Sequence, residues 1–401
     1  MKKILIISTF YYPIQHIATN RIVAFAKYLK EYGYDVTVLT KGLQNEHKVI
    51  NGINVHYVND TYFIKKLDTS KQEIKIIHYL KCAWNIIYMN IFDDEDHGWT
   101  KNACKKANEI LKQNQFDFVL SSAPPIGPHI VAYEIKKKYP KIKWIVDMRD
   151  ALWSPNYPLK IRNSMLRFVK NKISECADLL LAVSKPQLQE YKKLTDNKLA
   201  YIEIRNGYDF VLKKNNSYNK KEFIIIYTGS FHGNRKPDNF FIALENLYKN
   251  NKISNFEVEI IGNNAPINIP NAIAKNINII DKMPYEKLID YVNDKASILL
   301  MISPSNIEKG CYTGKLFDYI GLCKPILALV PKNDVAAALI NKINIGYVAE
   351  NENITEIENN ILKAYFDWKN VREFDPDLNI IKLHHRKEQI RKLVNYLENI
   401  K

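Results

Sequence analysis

Short runs of apolar residues alternate with helical patterns along most of the chain. The first apolar run, KKILIIS, is followed by a helical pattern from residue 21 to 32 and by a second run, DVTVLT, from Asp35. The same alternation continues through DFVLSS at 117–122, KWIVDMRD at 143–150 and LLLAVS at 179–184. Continuous apolar strands separated by helices are typical of a parallel sheet with both faces covered. The pattern predicts an α/β fold.

A hydrophilic stretch, KKNNSYNKKE at 213–222, interrupts this alternation, which then begins again with FIIIYTGS. Because 401 residues exceed the size of one hydrophobic core, we interpret the restart as a second domain. The prediction is two Rossmann-like domains facing a cleft, over residues 1–208 and 209–372. Residues 373–401 form a C-terminal helix that crosses back to the first domain, with an apolar stripe at Ile390, Leu393, Val394 and Leu397.

Residues 60–100 do not fit the alternation and are interpreted as an insertion in the first domain. One set of apolar residues there recurs at helical spacing: Ile77, Leu80, Trp84, Ile87, Tyr88 and Ile91. We expect this stripe to pack on the core, as most such stripes do. The alternative is that it holds an acceptor molecule or touches a membrane.

Composition excludes several classes of protein. With 46% apolar and 25% charged residues, the chain is neither disordered nor fibrous. Its five cysteines form no CxxC pair and no zinc-finger spacing, so neither a disulfide framework nor a structural metal is expected. We see no signal peptide and no apolar run of about 18 residues. The expected location is the cytoplasm, with peripheral association at the inner face of the plasma membrane left open.

Positive charge is concentrated in the first half of the chain. Residues 1–200 hold 31 basic and 19 acidic residues, a net charge of +12, whereas residues 201–401 have a net charge of +3. Residues 101–200 alone account for +10. This asymmetry indicates a surface that attracts anions, or simply a well-solvated surface rich in lysine.

The loops that mark common nucleotide-binding proteins are missing. No GxGxxG follows the first strand, and Gly310, Gly314 and Lys315 lack the spacing of a P-loop, so a dehydrogenase or P-loop NTPase is not expected. Two strand-to-helix turns in the second domain instead carry cations: YTGSFHGNRKP at 227–237 and EKGCYTGKLFDYIGLCKPI at 308–326. A helix N-terminus beside an Arg or Lys is suited to a diphosphate.

The order of these motifs resembles that of the bacterial glycosyltransferases of family 4, which are retaining nucleotide-sugar enzymes with the GT-B fold. The matching segments run along nearly the whole chain: FYYPIQHIATNRIVAFAKYLKEYGYDVTVLT, SSAPPIGPH, WIVDMRDALW, CADLLLAVS, IRNGYD, IIYTGSFHGNR and GKLFDYIGLCKPILAL. Two points depart from the family pattern. Gly310 stands where a first acidic residue is usual, and Gln15 and His16 replace paired glycines.

The resemblance implies a role for each matching residue. Arg235 and Lys315 would grip the donor diphosphate as the catalytic cations, and Asp318 would accept hydrogen bonds from the ribose. The remaining donor-binding positions are Gly229, Ser230, Tyr312, Thr313 and Gly314. The alternatives are that Arg235 is a solvated loop cation and that Lys315 and Asp318 are an exposed pair in the first turn of a helix.

Four residues of the first domain are candidates for contact with the acceptor or donor sugar: His16, His129, Asp147 and Asp150. His129 could instead be satisfied by the backbone at a helix start. Asp147 and Asp150 could serve as a general base, or could be structural, with Arg149 paired to a carboxylate. The acidic run at 93–96 lacks the spacing of a calcium loop, and no metal is expected.

The resemblance implies a retaining glycosyltransferase of bacterial surface polysaccharide synthesis. Its partners would be a nucleotide-sugar, a glycan or lipid-linked acceptor and, as an open alternative, an anionic membrane surface; we expect no nucleic acid and no cofactor. A nucleotide-sugar epimerase or hydrolase on the same scaffold is the first alternative. A non-catalytic anion-binding protein is the second.

Overall fold

The computed structural model describes residues 1–14, 16–60, 75–91, 94, 96–151, 159–213, 221–231, 235–303, 310, 312–372 and 374–399. The chain divides into two compact units. The first unit is Met1–Arg205 together with Ile390–Lys401, and the second is Asn206–Gln389. The predicted segment 373–401 is therefore divided between the two units. Gln15, most of the hydrophilic stretch, Asp93, Glu95 and Cys311 lie outside the described residues.

The sheet of the first unit has eight strands within the described ranges, in the order β3-β4-β2-β1-β5-β6-β7-β8. β3 pairs antiparallel with β4, and the other pairs are parallel. The strands are β1 (Lys3–Ser8), β2 (Asp35–Gly42), β3 (Glu46–Ile50), β4 (Ile53–Asn59), β5 (Phe118–Ala123), β6 (Lys143–Met148), β7 (Leu179–Ala182) and β8 (Ala200–Glu203).

Helices cover both faces of this sheet, which explains why its central strands are continuously apolar. Two buried clusters lie on the two faces, one including Trp99 and Trp144 and the other including Phe25 and Leu29. The helices are α1 (Ile17–Glu31), α2 (Lys75–Ile91), α3 (His97–Gln113), α4 (Gly127–Lys138), α5 (Leu159–Phe168), α6 (Ser174–Cys176) and α7 (Lys185–Leu194), with a π-helical segment at Val169–Ile173.

The second unit repeats this plan. In the part of the unit that the structure describes, six parallel strands lie in the order β11-β10-β9-β12-β13-β14. They are β9 (Phe223–Thr228), β10 (Phe256–Ile261), β11 (Ile277–Ile280), β12 (Ile298–Ile302), β13 (Ile326–Leu329) and β14 (Gly346–Ala349). Its helices are α8 (Asp238–Lys249), α9 (Tyr285–Lys295), α10 (Gly314–Gly321), α11 (Val335–Ile343), α12 (Ile354–Lys369) and α13 (Leu378–Lys382), with a 3-10 helix at Asn271–Asn276. The predicted α/β class with two Rossmann-like sheets is confirmed.

In each unit the strand order reverses beside the first strand, between β1 and β5 and between β9 and β12. Ligands of open α/β sheets bind outside the carboxyl ends of the strands at such a reversal. The turns that follow β9 and β12 are the two cation-bearing turns noted in the sequence.

The C-terminal helix α14 (Arg386–Asn399) begins in the second unit and ends in the first. Its stripe Ile390, Leu393, Val394 and Leu397 is buried in the core of the first unit. The preceding helix α13 stays in the second unit because Ile381 is buried in that unit's core.

The hairpin of β3 and β4 was not predicted from the sequence. Its turn consists of Asn51 and Gly52, both with positive φ angles of 51° and 69°. An Asn-Gly pair between two short strands is a strong signal for a tight hairpin. That signal was available in the sequence.

The expectation that the stripe of the insertion packs on the core is wrong for its described side chains. Ile77, Leu80, Trp84 and Ile87 lie on α2 and are exposed. The side chains of Tyr88 and Ile91 lie outside the described set. Within the described residues, none of the helices has the length and apolarity needed to span a membrane.

Candidate functional site

The turn after β9 is shaped by a glycine. Gly229 has a φ of +91°, and its N–H donates to the Ile261 carbonyl at 2.7 Å. A Cβ at this position would lie 3.1 Å from Lys315 Cε and 3.2 Å from Lys315 Nζ. Glycine is therefore favoured here both by backbone conformation and by the space that the lysine occupies.

The next residue, Ser230, ties the same turn to the loop after β10. Ser230 Oγ donates to Asn263 Oδ1 at 3.0 Å, and the Phe231 N–H donates to the same oxygen at 3.1 Å. The Phe231 ring stacks on Tyr227, with centroids 4.1 Å apart. These contacts hold the turn beside the sheet edge.

Lys315, in the first turn of α10, lies against this turn. Its Nζ is 3.7 Å from the centroid of the Tyr227 ring, a close cation–π contact. Burial and the nearby charge of Arg235 lower the pKa of Lys315 to about 7. The amine is thus held in surroundings that disfavour its charge, and an anion beside it would reverse that effect.

Arg235 precedes α8 and is half-buried. Its Nε is buried and has no hydrogen-bond partner within the described part of the chain. Neither Arg235 nor Lys315 forms an ion pair with a described carboxylate. Two neighbouring cations that lack a protein carboxylate form an arrangement suited to a multiply charged anion.

The N-terminus of α10 contributes further donors to this place. Thr313 is the N-cap residue and Gly314 is the first helical residue. The backbone N–H groups at this end of the helix come before the first regular i to i−4 hydrogen bond, and they point toward the space in front of the helix. The helix is positioned by Tyr319, whose hydroxyl accepts from the Thr228 N–H at 3.1 Å. Tyr312 packs against Phe317, with ring centroids 5.3 Å apart.

Asp318 lies one turn after Lys315. Tyr285, the first residue of α9, donates its hydroxyl proton to Asp318 Oδ1 at 2.6 Å. Burial raises the pKa of Asp318 to about 6, and the Tyr285 hydrogen bond and the charge of Arg386 act in the opposite direction. Sequence reasoning missed Tyr285, because a tyrosine 33 positions away carries no local signal of this contact.

In the first unit, His16 and Asp150 lie at the carboxyl ends of β1 and β6. His16 caps α1 by accepting from the Ala18 N–H at 3.1 Å, and its ring stacks on Phe10 at 4.3 Å. The Arg149 guanidinium lies 5.0 Å from the Phe10 ring centroid and 3.6 Å from Asp150 Oδ2. Partial desolvation of the ring that stacks on Phe10, together with the charge of Arg149, lowers the pKa of His16. The side chains of His16 and Asp150 are exposed.

His129 has a different environment from His16. It is buried, with Nδ1 2.8 Å from Ser121 Oγ and Nε2 3.2 Å from Met148 Sδ. Burial lowers the pKa of its imidazole to about 3, so the ring is neutral. The partners of its ring are side chains of β5 and β6, not the backbone at a helix start.

Asp147 is also buried, and its partner is Arg21 of α1 rather than Arg149. Arg21 Nη2 lies 2.6 Å from Asp147 Oδ1 and Arg21 Nε 2.9 Å from Oδ2, while Ser122 Oγ donates to Oδ2 at 2.7 Å. A carboxylate bound on both oxygens favours a structural role over that of a general base. Sequence reasoning missed Arg21, although a lone Arg beside the apolar stripe of α1 was a signal.

Among the residues that the structure describes, no group of three or more His, Cys, Asp or Glu side chains is placed to hold a metal ion. The donor set at the α10 turn consists of cations and N–H groups, which suit an anion rather than a metal ion.

Solved structures of other proteins match the chain from end to end. Sucrose-phosphate synthase from Thermosynechococcus elongatus matches with a TM-score of 0.65 and 12% identity, covering 99% of each chain. A glycosyltransferase from Rickettsia africae matches with a TM-score of 0.65 and 14% identity, covering 100% of this chain and 99% of its own. HepE from Anabaena, in complex with UDP and glucose, matches with a TM-score of 0.63 and 13% identity, covering 100% of both chains. The chain has the GT-B fold.

No protein-family model matches the chain, and no curated protein matches its sequence. At 12–14% identity the structural likeness concerns the GT-B fold alone. A shared fold does not determine the reaction, which depends on the residues of the site.

Proposed function

We propose that this protein is a nucleotide-sugar-dependent glycosyltransferase whose donor diphosphate binds at the α10 turn of the second unit. The observation that carries the proposal is the pair of cations Arg235 and Lys315, which have no carboxylate partner among the described residues. They lie at the carboxyl edge of the sheet, where ligands of such folds bind. The structure of HepE with UDP and glucose, which has the same fold, supports this assignment.

In the proposal the two cations act on the leaving group. When the bond between the sugar and the diphosphate breaks, negative charge develops on the departing phosphate oxygen, and fixed cations and N–H donors stabilise that charge. Asp318 accepts hydrogen bonds from the ribose hydroxyls. The backbone donors are those of Gly229, Ser230, Tyr312, Thr313 and Gly314.

We further propose that transfer retains the anomeric configuration and that no cofactor takes part. The anomeric carbon exchanges its bond to the phosphate oxygen for a bond to the acceptor oxygen, and the hydroxyl proton passes to the departing phosphate. The acceptor is a glycan or a lipid-linked acceptor of bacterial surface polysaccharide synthesis. His16 and Asp150 are the exposed candidates for sugar contact in the first unit.

The experiment is thermal unfolding of the wild type with UDP, GDP, dTDP and CMP and with their sugars. A nucleotide at about 100 times its dissociation constant stabilises the folded state by about 2.7 kcal/mol, which gives a measurable rise in Tm. We expect one base to produce this rise, and we expect Arg235→Ala and Lys315→Ala to abolish it. Lys236→Ala is the matched control, because Lys236 is an exposed neighbour of Arg235 and its removal leaves the rise intact.

The proposal is overturned if no nucleotide or nucleotide-sugar raises the Tm, or if the rise survives in both alanine variants. Proton NMR of the reaction then distinguishes a retaining transferase from a hydrolase or an epimerase. A product with the anomeric configuration of the donor supports a retaining transferase. Donor consumed at the same rate without acceptor identifies a hydrolase or epimerase instead.

A further inference from the structure

The carboxylate of Asp334 is tied to the turn that carries Lys315. Asp334 lies in the loop after β13 and is the N-cap residue of α11. Its Oδ1 accepts from the Gly310 N–H at 2.8 Å, and Gly310 lies between β12 and α10, in the same turn as Lys315. Because β12 and β13 are neighbouring parallel strands, the loops after them lie side by side at the carboxyl edge of the sheet. An acidic side chain is thus held against the α10 turn.

Both ends of this contact are fixed by local structure. Gly310 is buried and has a φ of +82°, a conformation that favours glycine. The Asp334 N–H donates to the Pro331 carbonyl at 3.1 Å, and Asp334 Oδ1 also accepts from the Val335 N–H at 2.7 Å. Two backbone N–H groups therefore bind Oδ1 and set the position of the carboxylate.

The other carboxylate oxygen, Oδ2, has neither a hydrogen-bond partner nor an ion-pair partner among the described residues. Lys332 is the nearest basic residue along the chain, and it is engaged elsewhere. Its Nζ pairs with Glu356, and its N–H donates to Glu350 Oε1 at 2.9 Å. Asp334 is half-buried, so a ligand at the α10 turn can meet a carboxylate oxygen that no described cation neutralises.

The chemistry of a carboxylate suits a neutral group with O–H donors rather than a phosphate. An ionised carboxylate only accepts hydrogen bonds and repels other anions, whereas Arg235 and Lys315 attract them. The sugar of a nucleotide-sugar is bonded directly to the diphosphate and carries several hydroxyl groups. A hydroxyl that donates to an ionised oxygen forms a short, charge-assisted hydrogen bond.

We propose that Asp334 Oδ2 accepts a hydrogen bond from a hydroxyl group of the donor sugar and so contributes to the choice of sugar. The inference rests on the proposed function, which places the diphosphate at Arg235 and Lys315. It divides recognition between two sets of residues: the cations bind the diphosphate, and Asp334 contacts only the sugar. A sugar that lacks the hydroxyl leaves the carboxylate without its partner, which is how such sites reject close analogues.

The test is titration calorimetry of the full chain with nucleoside diphosphates and their sugar derivatives. The ligands are UDP with UDP-glucose, UDP-galactose and UDP-N-acetylglucosamine, GDP with GDP-mannose, and dTDP with dTDP-glucose. The quantity compared is the Kd of the diphosphate divided by the Kd of its sugar derivative, which we call the sugar ratio. Asp334→Asn keeps an N-cap oxygen for the Gly310 and Val335 N–H groups and replaces the ionised Oδ2 with an N–H donor.

We expect Asp334→Asn to lower the sugar ratio by about tenfold or more for the sugar that the wild type binds, because a charge-assisted hydrogen bond is lost. The Kd of the diphosphate alone should stay within about threefold of the wild-type value, since Asp334 does not contact it.

The matched control is Asp377→Asn, the same substitution at the N-cap of α13 in the second unit. Asp377 Oδ1 accepts from the Asn379 and Ile380 N–H groups, so the control changes a capping carboxylate in the same way. It should leave the sugar ratio as in the wild type. Unfolding midpoints equal to that of the wild type show that both variants fold.

Two results would overturn the inference and leave the proposed function intact. The first is a sugar ratio that Asp334→Asn does not change. The second is an equal weakening of the diphosphate and its sugar derivative, which would show that Asp334 only holds the α10 turn in place. A wild type that binds none of the nucleotides would refute the proposed function itself, and the inference with it.

Discussion

Lys315 should destabilise the folded protein in the absence of ligand, and replacing it with methionine should raise stability while removing the donor site. Burial and the charge of Arg235 lower the pKa of Lys315 from 10.5 to about 7. The unfolded chain therefore holds this proton more tightly than the folded chain does. Methionine keeps a long apolar side chain against the Tyr227 ring without the charge.

The magnitude follows from the difference between the two pKa values. One pKa unit corresponds to about 1.4 kcal/mol, so a fall from 10.5 to about 7 costs the folded state about 5 kcal/mol below pH 7, where both states are protonated. A cation–π contact with Tyr227 stabilises the charged amine and so raises its pKa, which means that the cost taken from the pKa is already a net value. We therefore expect Lys315→Met to be more stable than the wild type by up to about 5 kcal/mol at pH 6.

The sign of the pH dependence is also determined. Between pH 7 and pH 10.5 the unfolded wild type binds more protons than the folded wild type, so its stability rises with pH relative to that of the variant. The advantage of Lys315→Met should shrink across this window and vanish near its upper end.

The assay is urea unfolding of the wild type, Lys315→Met and Lys236→Met at several pH values from 6 to 10. Lys236 is exposed, so its substitution should leave the unfolding free energy within about 0.5 kcal/mol of the wild type. The reasoning is refuted if Lys315→Met is no more stable than the wild type at pH 6, or if its advantage does not depend on pH.

Two further predictions concern buried or hydrogen-bonded carboxylates. Arg21→Met leaves the Asp147 carboxylate without its bidentate partner inside the core, and we expect a loss of about 3–5 kcal/mol in urea unfolding. Arg21→Met/Asp147→Leu should recover part of that loss; a double variant as unstable as the single one would contradict the explanation. Tyr285→Phe removes the hydrogen bond that lowers the pKa of Asp318, so that pKa should rise above about 6 and the acidic limb of nucleotide binding should move to higher pH. Titration calorimetry from pH 5 to 8 measures the nucleotide affinity at each pH. If the fall in affinity at acidic pH is unchanged in Tyr285→Phe, the hydrogen bond of Tyr285 does not influence nucleotide binding.

Much of the fold could be predicted from local pattern. The apolar runs that become β1, β5, β6 and β7 are buried on both faces, and a buried parallel strand needs an unbroken run of apolar residues. The hairpin of β3 and β4 was not predicted because its exposed strand β3, EHKVI, contains too many polar residues to match that pattern. The Asn51-Gly52 turn was a better indication of the hairpin than the apolar pattern of its strands.

The candidate site could be predicted in part. The turns that carry Arg235 and Lys315 follow strands, so the topology of a doubly wound sheet places them at one edge. The hydroxyl of Tyr285 and the guanidinium of Arg21 could not be assigned to Asp318 and Asp147, because each pair is separated by 33 or 126 positions. Such contacts depend on which helices become neighbours.

The sequence by itself determined the alternation of strands and helices, the restart after residue 222 and the positions of the cations in two turns. These properties follow from local periodicity and from the short reach of a strand-to-helix turn. Only the tertiary structure decided that Asp147 binds Arg21, that His129 is buried and that α2 turns its apolar side to solvent. A period of 3.6 residues shows that a helix has an apolar side, but the surface that faces that side is set by the packing of distant segments.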